Sequence, residues 1–425
     1  MKRYKLNAPC QRPAIDFESV FGVVRGVLDD VQTNKDEAVR RYTEKFDGVS
    51  LQSFEVSEVE IEEACERIDP ALKKAFELAA QNIEKFHKAS APTPVELETS
   101  KGVICRTDYR GIEKVGLYIP GGTAPLPSTV LMLGIPARIA GCKEIILCTP
   151  PNKEGKVPDI ILYAARLAGI TKIFKIGGAQ AVAAMGYGTE TIPKVYKIFG
   201  PGNQYVTAAK MLLSIEPNGA AMDMPAGPSE VLVIADETAR ADFVAADLLS
   251  QAEHGTDSQV VLVCTSLEKI EEILKEIEIQ LTKLSRAEIA EGCLENSFAL
   301  EVPSLAEAIK FSDKYAPEHL IINTKDARKY AEQVQNAGSV FIGPYSPESA
   351  GDYASGTNHT LPTYGYARNY SGVNVSDFMK KITFQELSKE GIRSLGETVE
   401  KMAEIEGLDA HKNAMTIRIK SLKDE

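Results

Sequence analysis

From about residue 113 onward the chain alternates short apolar runs with segments of helical period, and no other feature limits the fold as strongly. Strand-like runs lie at 115–119, 144–148, 172–176 and 195–199, and helical runs at 128–140, 160–167 and 179–185 fall between them. Repeated βα units with short connections require a parallel sheet covered by helices. A strand at 231–235 opens a second such stretch. It continues through an apolar helix ending near Gln251, a strand at 259–264 and helices at 266–278 and 286–293. A strand at 298–301, a helix at 305–314, a strand at 320–322, a helix at 326–332 and a strand at 339–342 complete it.

The flanking regions read differently. Residues 1–20 are polar and suggest an extended arm, and helical periods follow at 20–46, 56–67 and 70–89. His87 sits among charged neighbours and is expected at the surface. Residues 343–372 are rich in Gly, Pro, Ser, Tyr and Asn, and a loop of that length is usually functional. Residues 374–425 read as a strand and a few small helices with little core of their own, so a partner subunit is the natural surface for them.

Composition narrows the function classes. At 425 residues, 44% hydrophobic and 25% charged, the chain has apolar material for two or more domains. A net charge of -12 argues against nucleic acid as a main partner. No apolar run reaches transmembrane length, and no apolar segment follows the basic start Met1–Lys5, so neither a membrane helix nor a secretory signal is expected. The seven cysteines are scattered and form no C-x-x-C, which fits a reducing, cytoplasmic setting without a cysteine-based zinc site. Cys142, Cys148 and Cys264 read as small core residues.

Several motifs carry chemistry, each with a plainer alternative. Gln251 and His254 lie three apart at a helix end, where they can hold a divalent metal or simply favour the helix C-terminus. Three glycine-rich turns follow strands: Pro120-Gly121-Gly122-Thr123, Gly177-Gly178-Ala179-Gln180 and Gly200-Pro201-Gly202-Asn203. Their N–H groups can face the phosphates of a dinucleotide, or they are tight βα turns; none is a G-x-G-x-x-G. Glu318 and His319 are adjacent, so they point apart and suit two separate proton transfers rather than a dyad; the alternative is a surface acid beside a partly buried ring. Asp352, in a glycine-rich stretch, is a hard oxygen donor or a turn residue. His359 can be a ligand, a substrate contact or a loop hydrogen-bonder, His411 alone reads as a surface helix residue, and Ser229 as a turn hydroxyl.

Taken together these segments resemble the histidinol dehydrogenase family over nearly the whole chain, least over the first hundred residues. The most specific matches are 116–122, 200–203, 223–230, 250–255, 316–320 and 351–359. The resemblance implies an α/β fold of two incomplete Rossmann-like domains, aldehyde-dehydrogenase-like, with a short N-terminal arm and a C-terminal tail swapped across a homodimer. The corresponding division is an arm at 1–20, a first domain of 21–112 and 228–373 with the substrate and zinc site, a second domain of 113–227 on the NAD side, and a tail at 374–425 packing on the partner subunit. It implies one zinc per subunit, held by Gln251, His254, Asp352 and His411, the last from the partner. Glu318 and His319 match the catalytic pair, and Tyr118, Gln180 and Asn203 the NAD contacts. Ser229, His359 and Glu406 match substrate contacts, together with Gln251, His254, His319, Asp352 and His411.

The implied reaction is a zinc-dependent two-step, four-electron oxidation of L-histidinol through L-histidinaldehyde to L-histidine with two NAD. In it His319 takes protons and Glu318 activates the water of the second step. Three rival readings remain at this level. A zinc hydrolase with Glu318 activating water leaves three glycine-rich strand ends idle. A metal-free aldehyde dehydrogenase needs a cysteine beside the cofactor. A non-catalytic nucleotide-binding or assembly protein gives no reason for the histidines of the loop and tail motifs.

Overall fold

The computed structural model describes residues 1–5, 12, 17–121 and 125–423. Of the expected arm, 6–11 and 13–16 lie outside the described residues, as do Gly122 and Thr123 of the first glycine-rich turn. The chain opens with strand β1 (Lys2–Lys5) and helices α1 (Phe17–Asp47), α2 (Glu58–Arg67) and α3 (Pro70–Ala89). Strands β2 (Val95–Ser100) and β3 (Val103–Gly111) follow. Then come β4 (Lys114–Tyr118), α4 (Pro127–Ile139), β5 (Glu144–Thr149), α5 (Asp159–Ala168), β6 (Lys172–Lys175), α6 (Gly178–Tyr187), β7 (Lys197–Phe199), α7 (Gln204–Ser214) and β8 (Ala221–Met222).

The second alternation is β9 (Glu230–Ala235), α8 (Ala241–Ala252), β10 (Gln259–Cys264), α9 (Leu267–Leu281), α10 (Ala287–Glu295), β11 (Phe298–Glu301), α11 (Leu305–Tyr315), β12 (His319–Asn323), α12 (Ala327–Ala331), β13 (Ser339–Ile342) and α13 (Glu348–Tyr353). The tail comprises β14 (Met379–Leu387), α14 (Lys389–Ile405) and α15 (Asp409–Ser421).

Both alternations form all-parallel sheets with reversed strand order, which makes the fold two incomplete Rossmann-like α/β units. One sheet runs β6-β5-β4-β7-β8, and its order reverses between β4 and β7. The other runs β1-β11-β10-β9-β12-β13 and reverses between β9 and β12. Every residue of β9 and β10 is buried, as a sheet covered on both faces demands. β1 extends this sheet by pairing with β11.

Four points differ from the sequence expectation. Helices α1, α2 and α3 pack on the five-stranded sheet, where Val24, Leu28 and Val31 join the core of α6 and α7, and Ile61 and Ile83 that of α4 and α5. Residues 21–112 had been grouped with the other sheet. Second, β14, β3 and β2 form an antiparallel sheet that the sequence did not suggest, because β2 and β14 are exposed along nearly their whole length and bury neither face within this chain. Third, His87 is 1% exposed, not at the surface. It lies four and eight residues from buried Ile83 and Ala79 on one helix face, and its Nδ1 bonds the Ile83 carbonyl at 2.9 Å. Fourth, the tail helices are long, 17 and 13 residues.

Candidate active site

The carboxyl ends of the five-stranded sheet line a cavity of about 770 Å³, the size range of a small-molecule site. Tyr118 from the end of β4, Gly121, Gln180 from the first turn of α6 and Asn203 before α7 all face it. These include the three residues expected to contact a dinucleotide. Tyr118 is 4% exposed, and burial pushes its phenol up to about 12, so it stays a neutral hydroxyl. Its oxygen accepts from the Gly178 N–H at 3.0 Å and thereby fixes the start of α6. Asn203 caps α7 by accepting from the N–H groups of Tyr205 and Val206.

The turn between them is shaped by a buried ion pair. Gly200 has φ +126°, and a Cβ there would lie 2.0 Å from the Tyr118 carbonyl oxygen, so only glycine fits. The Lys210 ammonium donates to the Gly200 carbonyl at 2.8 Å and to Asp223 Oδ1 at 2.6 Å, while the Gly200 N–H donates to Asp223 Oδ2 at 2.8 Å.

The second group of site residues gathers at the amino ends of the six-stranded sheet. Gln251 is in the last turn of α8 and His254 is just past its cap, before β10. His319 opens β12, and Glu318 precedes it. Asp352 is on α13, one helical turn after Glu348, not in a loop as expected. His254, Glu348 and Asp352 offer ligand atoms that all lie within 4.8 Å of one another. Both polar atoms of the Gln251 amide and Glu348 Oε2 are buried without a hydrogen-bond partner among the described residues, a cost that a ligand would relieve.

His319 and Glu318 are set by backbone groups of Glu230. His319 Nδ1–H donates to the Glu230 carbonyl at 3.1 Å, which leaves Nε2 for chemistry, 3.4 Å from Asp352 Oδ1. Glu318 Oε2 accepts from the Glu230 N–H at 2.8 Å. The two side chains converge to 3.6 Å, closer than adjacent strand positions suggest, yet beyond hydrogen-bond reach. Burial, helped by the carboxylates of Glu230 and Asp352, pushes the Glu318 carboxyl up to about 8 against the pull of His319. For His319 burial opposes the charged ring, but Glu348, Glu318 and Asp352 outweigh it and raise the ring well above the usual imidazole range.

The remaining expected residues divide. His359 lies by this cluster with both ring nitrogens engaged: Nδ1–H donates to the Asp352 carbonyl at 2.8 Å, and Nε2 meets Thr129 Oγ1 of α4 at 2.9 Å. It therefore joins the two sheet units. Ser229 stands at the start of β9, its carbonyl accepting from the Gln259 N–H. Glu406 and His411 are exposed on the tail and take no part in the cluster within this chain. Glu348 escaped the sequence reading. Its i, i+4 spacing to Asp352 was a usable signal, hidden by reading 343–372 as loop.

Comparison with known proteins decides the lineage. The family model described as histidinol dehydrogenase matches residues 10–419. The chain is 56% identical to the histidinol dehydrogenase of Bacteroides fragilis over 99% of this chain and 98% of that one. The chloroplastic histidinol dehydrogenase of Arabidopsis thaliana is likewise 56% identical, covering 97% of this chain and 88% of that one. The chain belongs to the histidinol dehydrogenase family. A solved histidinol dehydrogenase from Elizabethkingia anophelis superposes with a TM-score of 0.97 at 52% identity, over 100% of this chain and 99% of that one. The chain is thus a dehydrogenase of histidine biosynthesis, and the hydrolase and non-catalytic readings fall away. No helix among the described residues is long and apolar enough to cross a membrane.

Proposed function

We propose that this chain oxidises L-histidinol to L-histidine with two NAD at a divalent-metal site shared between two subunits. The observation that carries the reading is the convergence of His254, Asp352, Glu318 and His319 on one sheet edge, with Gln251's unpartnered amide on the neighbouring helix end. Gln251, His254 and Asp352 would hold zinc from one subunit and His411 from its partner, a nitrogen- and oxygen-donor set that suits the ion. Once bound, the ion would orient the imidazole and amine of the substrate and offset the negative charge that keeps His319 protonated. NAD, held by Tyr118, Gln180 and Asn203, would accept a hydride in each oxidation.

The chain's own groups then handle protons. His319 Nε2 takes the proton of the substrate hydroxyl as alcohol becomes aldehyde. Glu318, its carboxyl pushed up to about 8 by burial, takes a proton from the water that adds to the aldehyde while His319 returns its proton to the aldehyde oxygen. His319 then takes the proton of the hydrate hydroxyl in the second oxidation. Ser229, His359 and Glu406 would fix the rest of the substrate, with Glu406 again supplied by the partner. In this division the 113–227 unit serves NAD, and residues 228–373 the substrate and metal.

Exposed apolar surface on the tail sheet and helices supports the two-subunit assembly: Val95, Leu97, Phe384 and Ile405 are 52%, 51%, 37% and 87% exposed. The cysteine route is disfavoured, since burial raises the thiols of Cys142, Cys148, Cys264 and Cys293, which makes them poor nucleophiles. The test is NADH formation by dialysed protein given L-histidinol and NAD. Two NADH per histidinol, lost on chelation and restored by zinc, is the expected result. Turnover unaffected by chelation would remove the metal from the reading.

A further inference from the structure

One guanidinium from the N-terminal region ties together the segments that carry the acid–base pair. Arg12 pairs with Glu230 through Nε, and its Nη2 donates to Glu230 Oε2 at 2.9 Å. The same Nη2 donates to the carbonyl of Tyr315 at 2.8 Å and approaches that of Ala316 at 3.4 Å. Its guanidinium carbon lies 3.9 Å from the centre of the Tyr315 ring. The side chains of Arg12 and Glu230 are 9% and 2% exposed, so this is a buried ion pair. Glu230 Oε1 also accepts the Tyr364 N–H at 3.0 Å.

The position of this pair matters more than its strength. Tyr315 ends α11, and Ala316, at φ +55°, makes the turn that delivers Glu318 and His319 into the site. Glu230 is the residue whose N–H holds Glu318 Oε2 and whose carbonyl holds His319 Nδ1. Arg12 therefore grips both the turn that carries the pair and the residue that orients it. A buried ion pair is seldom needed for stability, since apolar replacements often serve as well. A planar fork of fixed donors, by contrast, sets geometry in a way that a lysine does not reproduce.

We propose that Arg12 and Glu230 form a positioning pair that sets the relative placement of Glu318 and His319; the inference rests on the acid–base reading given above. Neither residue touches the reacting atoms through its side chain. Loosening the pair alters turnover rather than substrate or cofactor binding.

The test uses full-length, zinc-loaded enzyme carrying Arg12→Lys, Arg12→Gln, Glu230→Gln or the Arg12→Gln/Glu230→Gln double change, with kcat, KM, zinc content and thermal unfolding measured together. Arg12→Lys is expected to lower kcat about tenfold and Arg12→Gln about a hundredfold, as small misplacements of catalytic groups do, with both KM values and zinc content unchanged within about twofold. The double change should be no worse than the worse single one, because the two act as a unit. Wild-type kcat per zinc-loaded site in the Arg12 variants, or losses that multiply in the double variant, would overturn the proposal. If Arg12→Gln does not fold, Arg12→Lys decides by the same criteria. His319→Asn run alongside separates the two claims: full turnover there overturns the acid–base reading itself, whereas an inactive His319→Asn beside fully active Arg12 variants overturns only the positioning role.

Discussion

The two sheet units share one winding scheme and use opposite edges of it. In the five-stranded unit the candidate site residues stand at the carboxyl ends of strands, where α6 presents its N-terminus; the Gly178 and Gly200 N–H groups are themselves held by the Tyr118 oxygen and Asp223 Oδ2. That edge suits an anionic ligand. In the six-stranded unit they stand at the amino ends, beside the C-terminus of α8, among Glu318, Glu348 and Asp352. A helix C-terminus and clustered carboxylates suit a cation. Each edge is backed by a buried ion pair that fixes backbone: Lys210–Asp223 under the Gly200 turn, and Arg12–Glu230 under the acid–base pair. The same fold thus yields opposite electrostatics according to which edge is furnished.

Substitutions should therefore separate the edges. The largest effect is expected for His254→Ala, which should lower zinc affinity at least about a hundredfold and abolish most turnover while leaving NAD binding unchanged. Zinc content by metal analysis and NAD binding by fluorescence check this, and a parallel loss of NAD binding would break the separation. Glu318→Gln should slow aldehyde oxidation by about 10²–10⁴-fold and alcohol oxidation far less, because only the former needs an activated water. Equal losses in the two half-reactions, assayed separately, would contradict that division.

At the other edge, Gly200→Ala should raise KM for NAD about tenfold or more and cost roughly 1–3 kcal/mol of stability, with zinc content unchanged. An unchanged KM would detach this turn from the cofactor. The smallest effect concerns Asp47, which lines the cavity with Oδ2 buried and unpartnered among the described residues. Burial raises its carboxyl to about 6. Its ionised form is disfavoured in the folded chain, so it takes stability away above about pH 6, and the deficit fades as pH falls toward the ordinary carboxylate range. Asp47→Asn should gain on the order of 1 kcal/mol at pH 8 and little at pH 4, discounted for partial solvent exposure. An equal gain at both pH values in denaturant titrations would reject this origin.

The comparison also explains what the sequence could disclose. Buried parallel strands such as Val-Leu-Val-Ile-Ala at 231–235 are continuous apolar runs, so both alternations were visible, with element edges differing by up to three residues. The turns that hold Gln180 and Asn203 were legible because glycine punctuates strand ends, whereas Tyr118, Gln180 and Asn203 were assigned to the cofactor by resemblance, and all three line the cavity. The tail sheet was missed because β14 has no buried residue to mark a face. Asp352 was placed in a loop because Pro347 and Gly351 obscured a six-residue helix, and Glu348 was lost with it. Arg12 and Glu230 are 218 positions apart, and only the folded chain brings them together. His411 and Glu406 were assigned by resemblance alone, and they stand exposed on the tail.

The most direct test of the account asks whether the tail completes the site of the other subunit. Two differently tagged chains, one His254→Ala and one His411→Ala, would be co-expressed and the mixed dimer isolated by both tags. If the tail acts across the dimer, one of its two sites carries both changes and the other neither, so the mixed dimer should recover about half of wild-type turnover per dimer from two inactive parents. A mixed dimer as inactive as its parents would show that the tail serves its own chain, and the shared site would have to be abandoned.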